Sequence, residues 1–242
     1  MAMIDIRQTS ANLLFKGSFM NQDDKPLKTQ KDLSDQRLDY TQGALSEAEA
    51  PADPLVLFDR WFHEALDQQV IEPYAMTLAT SSLTGRPSAR TVLMRGYGAD
   101  GITFYTNYLS HKGADLAANP QAEVLFFWAE QERQVRVYGA VSQIDHADSA
   151  AYFAKRPKKS QLAALVSTPQ SGSVASRDLM EARYAELEDQ YAHIDPECPE
   201  WWGGYQIELE QIEFWQGRDS RMHDRLVYTL SEQGYVLERL LP

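Results

Sequence analysis

The sequence has a single cysteine, Cys198, which excludes an intramolecular disulfide and a cysteine-built metal cluster. Cys198 lies in the polar, proline-containing run 195–199, with no neighbour that marks it as a nucleophile. Long apolar runs are also missing. Stretches such as residues 163–166 and 124–128 fall far short of the roughly 20 residues needed to cross a bilayer. The opening MAMIDIRQTS has neither a basic start nor an apolar run before a cleavage site, so no secretory signal is visible and a cytoplasmic location is expected. Basic residues are outnumbered, 23 Lys+Arg against 35 Asp+Glu, for a formal charge of -12. That balance argues against nucleic acid or an anionic membrane as a partner. No GxGxxG or GxxxxGK[ST] motif occurs, so neither a dinucleotide fold nor a P-loop is supported, and no His/Cys spacing suggests a metal site.

What remains is ordinary for a folded domain: 43% hydrophobic and 24% charged residues, over a length that can bury a full core. Residues 1–50 are rich in Gln, Asp, Lys and Ser and hold no sustained period, so they read as a mobile or partly ordered amino-terminal arm. Its one compact group is Arg37-Leu38-Asp39-Tyr40. Residues 51–242 read as a single domain. Asp53-Pro54 can cap and open a helix of about four turns, with Leu55, Phe58, Phe62 and Ala65 along one stripe. Short strand patterns follow at 75–80, 88–95, 102–105, 123–128 and 134–144, with a short helix across 111–119. Helical patterns return in 147–154, 160–166 and 173–191, and strands in 204–215, 226–230 and 235–240. The spacing predicts an antiparallel meander closing into a small barrel, mainly β with peripheral helices, because no long crossover helices separate the strands.

Three groups of side chains could carry chemistry. In the run 213–225, an extended backbone around residue 223 would put Arg221, His223 and Arg225 on one face, where they repel unless an anion sits among them. The competing reading is a solvated charged loop, since 217–220 is turn-like. Tyr152, Arg156 and Ser160 form a second group: a spacing of four stacks the first two on a helix, and Pro157 can open a new turn that brings in Ser160. Phenol, guanidinium and hydroxyl together suit a phosphate. The third group is the stretch 88–95, with Arg90 and Arg95, followed by Phe104-Tyr105-Thr106-Asn107 and Ser110-His111-Lys112. Ser110 can cap a helix whose free N–H groups face an anion. Arg90 and Arg95 are an odd number of residues apart and would face opposite sides of a regular strand, so they share a site only if the strand bends or the site uses both faces. Gln134 and Arg136 share a face with Tyr138 on a neighbouring strand.

These residues resemble the pyridoxine/pyridoxamine 5'-phosphate oxidase family over roughly residues 35–242. The resemblance is carried by Arg37 and Tyr40, residues 51–54, the Arg90 strand, 104–107, 132–135, 152–160, 202–204, and above all the signature 213–225. It implies an FMN-binding split β-barrel, a homodimer with two sites at the subunit interface, and oxidation of pyridoxamine or pyridoxine 5'-phosphate by O2 to pyridoxal 5'-phosphate. FMN would be held by Arg90, Arg95, Tyr105, Thr106, Ser110, His111 and Lys112, with Gln134, Gln170, Ser171, Trp215 and Arg225 also lining its site. The substrate phosphate would fall to Arg95, Tyr152, Arg156 and Ser160. Arg221 and His223 would orient the reacting ring as the catalytic pair, under a lid carrying Arg37 and Tyr40. Two positions depart from the family: lysine is usual where this chain has Arg95, and arginine is common where it has His111. Residues 47–49 are acidic where relatives can be basic. A flavin reductase with another substrate and a non-catalytic flavin or pyridoxal-phosphate carrier are the other readings of the same residues.

Overall fold

The computed structural model describes residues 39–242, which form one compact unit. Arg37 and the rest of the arm before Asp39 lie outside the described residues. Helix α1 (Pro54–Asp67) starts at the expected cap: the Asp53 side chain accepts the Leu55 N–H at 2.9 Å, and Pro54 takes the first turn. Its buried face, Leu57, Phe58, Trp61, Phe62 and Ala65, joins the main core. Phe58 meets Phe126 edge-on with ring centroids 5.3 Å apart.

Nine strands follow: β1 (Ala75–Ser81), β2 (Pro87–Gly98), β3 (Gly101–Asn107), β4 (Gln121–Trp128), β5 (Arg133–Gln143), β6 (Trp202–Ile207), β7 (Gln211–Gln216), β8 (Asp224–Ser231) and β9 (Gly234–Arg239). The order β4-β1-β2-β3-β6-β5, with a further β4–β5 pairing, closes six strands into a barrel, and β7, β8 and β9 extend it from β5. Alternation along β4 sends Val124, Phe126 and Trp128 inward and leaves Leu125 and Phe127 on the opposite side. This is the mainly β small barrel that the strand spacing predicts and the split barrel that the resemblance implies, with α2 (His111–Ala118), α3 (His146–Lys155), α4 (Lys158–Val166) and α5 (Arg177–Gln190) at its periphery.

Three details differ from the sequence reading. The run 204–215 is two strands, not one, because β5 pairs with β6 through residues 141–143 and with β7 through 133–138. The chain crosses between them against Gly139, where a Cβ would stand 1.9 Å from the Glu208 carbonyl oxygen. Helix α5 begins at Arg177 rather than near 173, since Ser176 takes the cap position and accepts the Leu179 N–H. Arg156 is not on the same helix as Tyr152. It is the extended residue that ends α3 (φ -70, ψ 147), because Pro157 disfavours helical backbone in the residue before it.

Residues 39–50 are tied to the body of the chain. Leu45 is buried, its N–H donates to Asp224 at 3.0 Å, and the Gln42 N–H donates to Glu132 at 2.9 Å. Arg239 on β9 donates to both Glu47 oxygens at 2.6 and 2.8 Å, to Asp224 at 2.7 Å and to the Leu45 carbonyl at 2.9 Å.

Candidate active site

A cavity of 450 Å³ opens between the outer face of β2, the end of β3, and helices α3 and α4. Arg95, Tyr105, Thr106, Lys112, Tyr152, Arg156, Ser160 and Gln170 all line it, so residues expected to bind two different ligands share one space. Arg95 reaches it from a bulge: the β2–β3 register shifts between Met94 and Gly96. Among the described residues, three cations line this cavity and no carboxylate does.

An aromatic stack builds the Arg156 wall. Tyr105 and Tyr152 lie 3.9 Å apart and nearly parallel, Trp202 lies parallel to both, and the Arg156 guanidinium sits 4.9 Å over the Trp202 ring. Its Nη1 is buried without a hydrogen-bond partner among the described residues. Burial lowers the Arg156 pKa, and the nearby Arg95 charge acts in the same direction. A buried guanidinium N–H without an acceptor is costly, and an anionic oxygen would satisfy it. Trp202 was named from sequence only as part of a motif, and its role as the floor under Arg156 depends on a pairing between β3 and β6 that no local pattern displays.

At the Lys112 end, Ser110 caps α2 by accepting the Gly113 N–H, while Lys112 Nζ donates to Thr106 Oγ1, Ser110 Oγ and Gln170 Oε1 at 3.0, 3.1 and 3.0 Å. Burial, reinforced by the charge of Arg90, lowers the Lys112 pKa to about 8. Arg90 itself does not line the cavity. Its guanidinium is held behind Lys112 by Thr80 Oγ1 at 2.8 Å and Ser88 Oγ at 2.7 Å, with Asp115 at 3.9 Å. His111 is exposed and does not line the cavity; its ring lies 3.4 Å from Ser88 Oγ, and its backbone N–H donates to Ser171 Oγ at 3.3 Å.

The remaining residues gather elsewhere in the chain. Gln134, Trp215 and Arg225 line a separate 190 Å³ pocket with Arg136, Glu213 and Pro242. Trp215 packs on His223 with ring centroids 4.6 Å apart, and Tyr40 meets both rings edge-on. Gly217 makes room for Tyr40: a Cβ there would lie 2.8 Å from Tyr40 Cγ. The one-face alternation considered for Arg221, His223 and Arg225 does not apply, because residues 219–221 form a 3-10 turn and β8 begins only at Asp224. Ser220 and Arg221 are consecutive left-handed residues, φ 55 and 62, a strained arrangement for side chains with a Cβ. Arg221 is exposed and makes no side-chain hydrogen bond among the described residues. The Arg218 N–H donates to His223 Nδ1 at 3.1 Å, which places the proton of a neutral ring on Nε2. Cys198 has no role in either pocket; burial pushes its thiol up to about 11, away from the reactive thiolate.

Comparison with known proteins identifies the lineage. Residues 62–191 match the family described as Pyridoxamine 5'-phosphate oxidase, and residues 202–242 match the Pyridoxine 5'-phosphate oxidase C-terminal dimerisation region. The chain belongs to the pyridoxine/pyridoxamine 5'-phosphate oxidase family. A family member from Deinococcus deserti is 54% identical over 213 residues, 87% of this chain and 99% of the relative. One from Psychrobacter arcticus is 51% identical, again across 87% of this chain and 99% of the relative. Among solved structures, PhzG from Burkholderia lata in complex with tetrahydrophenazine-1-carboxylic acid superposes with a TM-score of 0.76 at 27% identity, covering 81% of this chain and 95% of that one. A pyridoxamine 5'-phosphate oxidase-related, FMN-binding protein from Nostoc punctiforme shares the fold, with a TM-score of 0.61 at 18% identity over 80% of this chain and 98% of that one. Within the family's barrel, the chain thus carries the region described for dimerisation and the two residue clusters on separate pockets. Among the described residues no helix is long and apolar enough to cross a membrane, and no group of His, Cys, Asp or Glu could hold a metal.

Proposed function

We propose that the protein oxidises pyridoxamine 5'-phosphate and pyridoxine 5'-phosphate to pyridoxal 5'-phosphate with FMN and O2, releasing H2O2, and NH3 from the amine. The observation that carries this reading is a cavity with Arg95, Lys112 and Arg156 on its walls, no lining carboxylate, and a buried guanidinium nitrogen left without an acceptor. Such a space fits phosphorylated ligands. Two anchoring regions would serve it: Arg156 with Tyr152 and Ser160 on one wall, and Lys112 with Thr106 on another, backed by the buried Ser110 that caps α2. The first suits the substrate phosphate and the second the FMN phosphate.

The residues present fit FMN. Lys112 is a partly buried cation ringed by three oxygen acceptors, and a phosphate would restore its full charge. Gln134, Trp215 and Arg225 offer an amide, an indole and a guanidinium suited to the polar edge and face of the flavin ring. When bound, FMN supplies the two-electron acceptor that O2 regenerates. The protein holds the substrate phosphate at a distance from the reacting carbon and so fixes where that carbon lies. His223 presents an Nε2 donor, held in that form by the Arg218 N–H, and Arg221, two residues before it, presents an exposed guanidinium without a hydrogen bond among the described residues. These two orient the pyridine ring, while Tyr40, packed on Trp215 and His223, shields that side from water. Arg37 belongs to the same covering segment by resemblance.

The same reading makes the active unit a homodimer. The two pockets share no lining residue, and the outer barrel face between them carries Leu93, Leu125 and Phe127, the last 56% exposed. A second copy related by two-fold symmetry covers this face and sets the Trp215–Arg225 pocket of one chain against the Arg156 cavity of the other. The decisive experiment incubates FMN-saturated protein with pyridoxamine 5'-phosphate and follows oxygen uptake and pyridoxal 5'-phosphate release. Flavin-loaded protein that shows neither rejects the assignment.

A further inference from the structure

Glu213 has no part in the reading above, yet it is 5% exposed and lies directly behind the residues given to the flavin ring. Gln134 pairs with Trp215 across β5 and β7, and Trp215 pairs with Arg225 across β7 and β8. Two positions before Trp215, Glu213 shares its face of β7. Its Oε1 accepts from Arg225 Nε at 2.7 Å, and its Oε2 accepts from Arg225 Nη2 at 3.0 Å and from Arg136 Nη2. Arg225 Nη1 donates to the Leu241 carbonyl at 2.9 Å, and Arg136 Nε lies 3.3 Å from Glu123. The fork of Arg225 is therefore fixed at three of its nitrogens. Two guanidiniums and two carboxylates make the network neutral.

Burial alone would raise the Glu213 carboxyl pKa, but the bond from Arg225 and the charges of Arg136 and Arg225 outweigh it and hold the group below the ordinary range. The Arg225 pKa is raised by the same bond. A bidentate pair of this kind orients the donor as well as neutralising it.

We propose that Glu213 is a positioning residue that locks the Arg225 fork and cancels its charge, so that the pocket offers the flavin ring directed N–H donors without a net positive field. The inference rests on the FMN reading. A net positive charge beside the ring would favour its reduced, electron-richer form, so the neutral wall holds the potential down and keeps the flavin readily oxidised by O2.

The test is the midpoint potential of FMN bound to the full chain. Glu213→Gln removes the negative charge, and the reduced cofactor should then bind about tenfold more tightly relative to the oxidised one, a rise of about 30 mV for a two-electron couple. Adding Arg136→Gln restores neutrality and should return the potential to the starting value. Glu213→Asp keeps the charge but withdraws the acceptor, so it should leave the potential in place and weaken FMN binding. A folded, FMN-loaded Glu213→Gln protein with a lower Tm and an unchanged potential overturns the proposal and makes Glu213 a structural ion pair. Should that variant not fold, Arg136→Gln alone gives the same readout with the opposite sign, a lower potential, and no shift there overturns it equally. Wild-type protein that binds no FMN would instead defeat the underlying functional reading.

Discussion

Around the larger cavity, Arg95, Lys112 and Arg156 stand with no carboxylate among the lining residues, whereas around the smaller pocket Arg136 and Arg225 close on Glu213. Both regions are rich in cations, but they use them differently. Partly buried cations with no carboxylate beside them, such as Lys112 and Arg156, carry an unfavourable desolvation that an incoming anion would relieve, which favours phosphate. Paired cations have already spent their charge and act through the direction of the N–H groups that remain. In a chain of formal charge -12, a local cluster of cations without lining carboxylates is how the proposed phosphorylated ligands would be accommodated.

The sharpest way to break this contrast is Arg156→Met. It deletes the guanidinium whose Nη1 is buried without a partner among the described residues, and the loss of two charge-assisted hydrogen bonds to the substrate phosphate, about 1.5 kcal/mol or more each, should lower kcat/KM for pyridoxamine 5'-phosphate by about 100-fold or more. FMN affinity should stay within about threefold. Steady-state oxygen uptake and flavin titration separate the two, and equal losses in both would mean that the cavity is not divided into two anchoring regions.

A smaller effect is expected at Lys112, whose pKa of about 8 lies below the usual 10.5 because of burial and the charge of Arg90. The charged form is the one that grips phosphate, so binding is at full strength below pH 8, and above it FMN uptake must also protonate the lysine. FMN affinity should fall by up to about tenfold per pH unit as the pH rises past 8. Lys112→Met should weaken FMN binding by about tenfold at neutral pH and flatten that dependence. A wild-type titration that is flat from pH 7.5 upward would contradict the assignment. The smallest effect is reserved for the paired side: Gly217→Ala places a Cβ 2.8 Å from Tyr40 Cγ and should raise KM by about two- to threefold through displacement of Tyr40. Identical KM values for the two proteins would take Tyr40 out of the site.

Much of the fold is legible in the sequence because the barrel strands alternate and the helices are punctuated by Asp53-Pro54, Ser110 and Pro157. Failures fall where tertiary pairing overrides local pattern. Residues 204–215 look continuous, yet β5 needs two different partners along its length, so the chain breaks at 208–210. Two-residue alternation suggested one face for Arg221, His223 and Arg225, but a left-handed pair at Ser220 and Arg221 sits where the alternation assumes extended backbone. The odd separation of Arg90 and Arg95 is met by a bulge and by a split of labour: Arg95 enters the cavity and Arg90 stands behind Lys112. Neither the Trp202 floor nor the Glu213 clamp could be read locally, since each is defined by a neighbour on another strand or helix.

The carbonyl of Leu241 holds Arg225, and Pro242 forms part of the small pocket's wall. Backbone movement at residues 241–242 is therefore passed on to the Arg225 fork and to the shape of that pocket, although the segment lies outside every strand and helix.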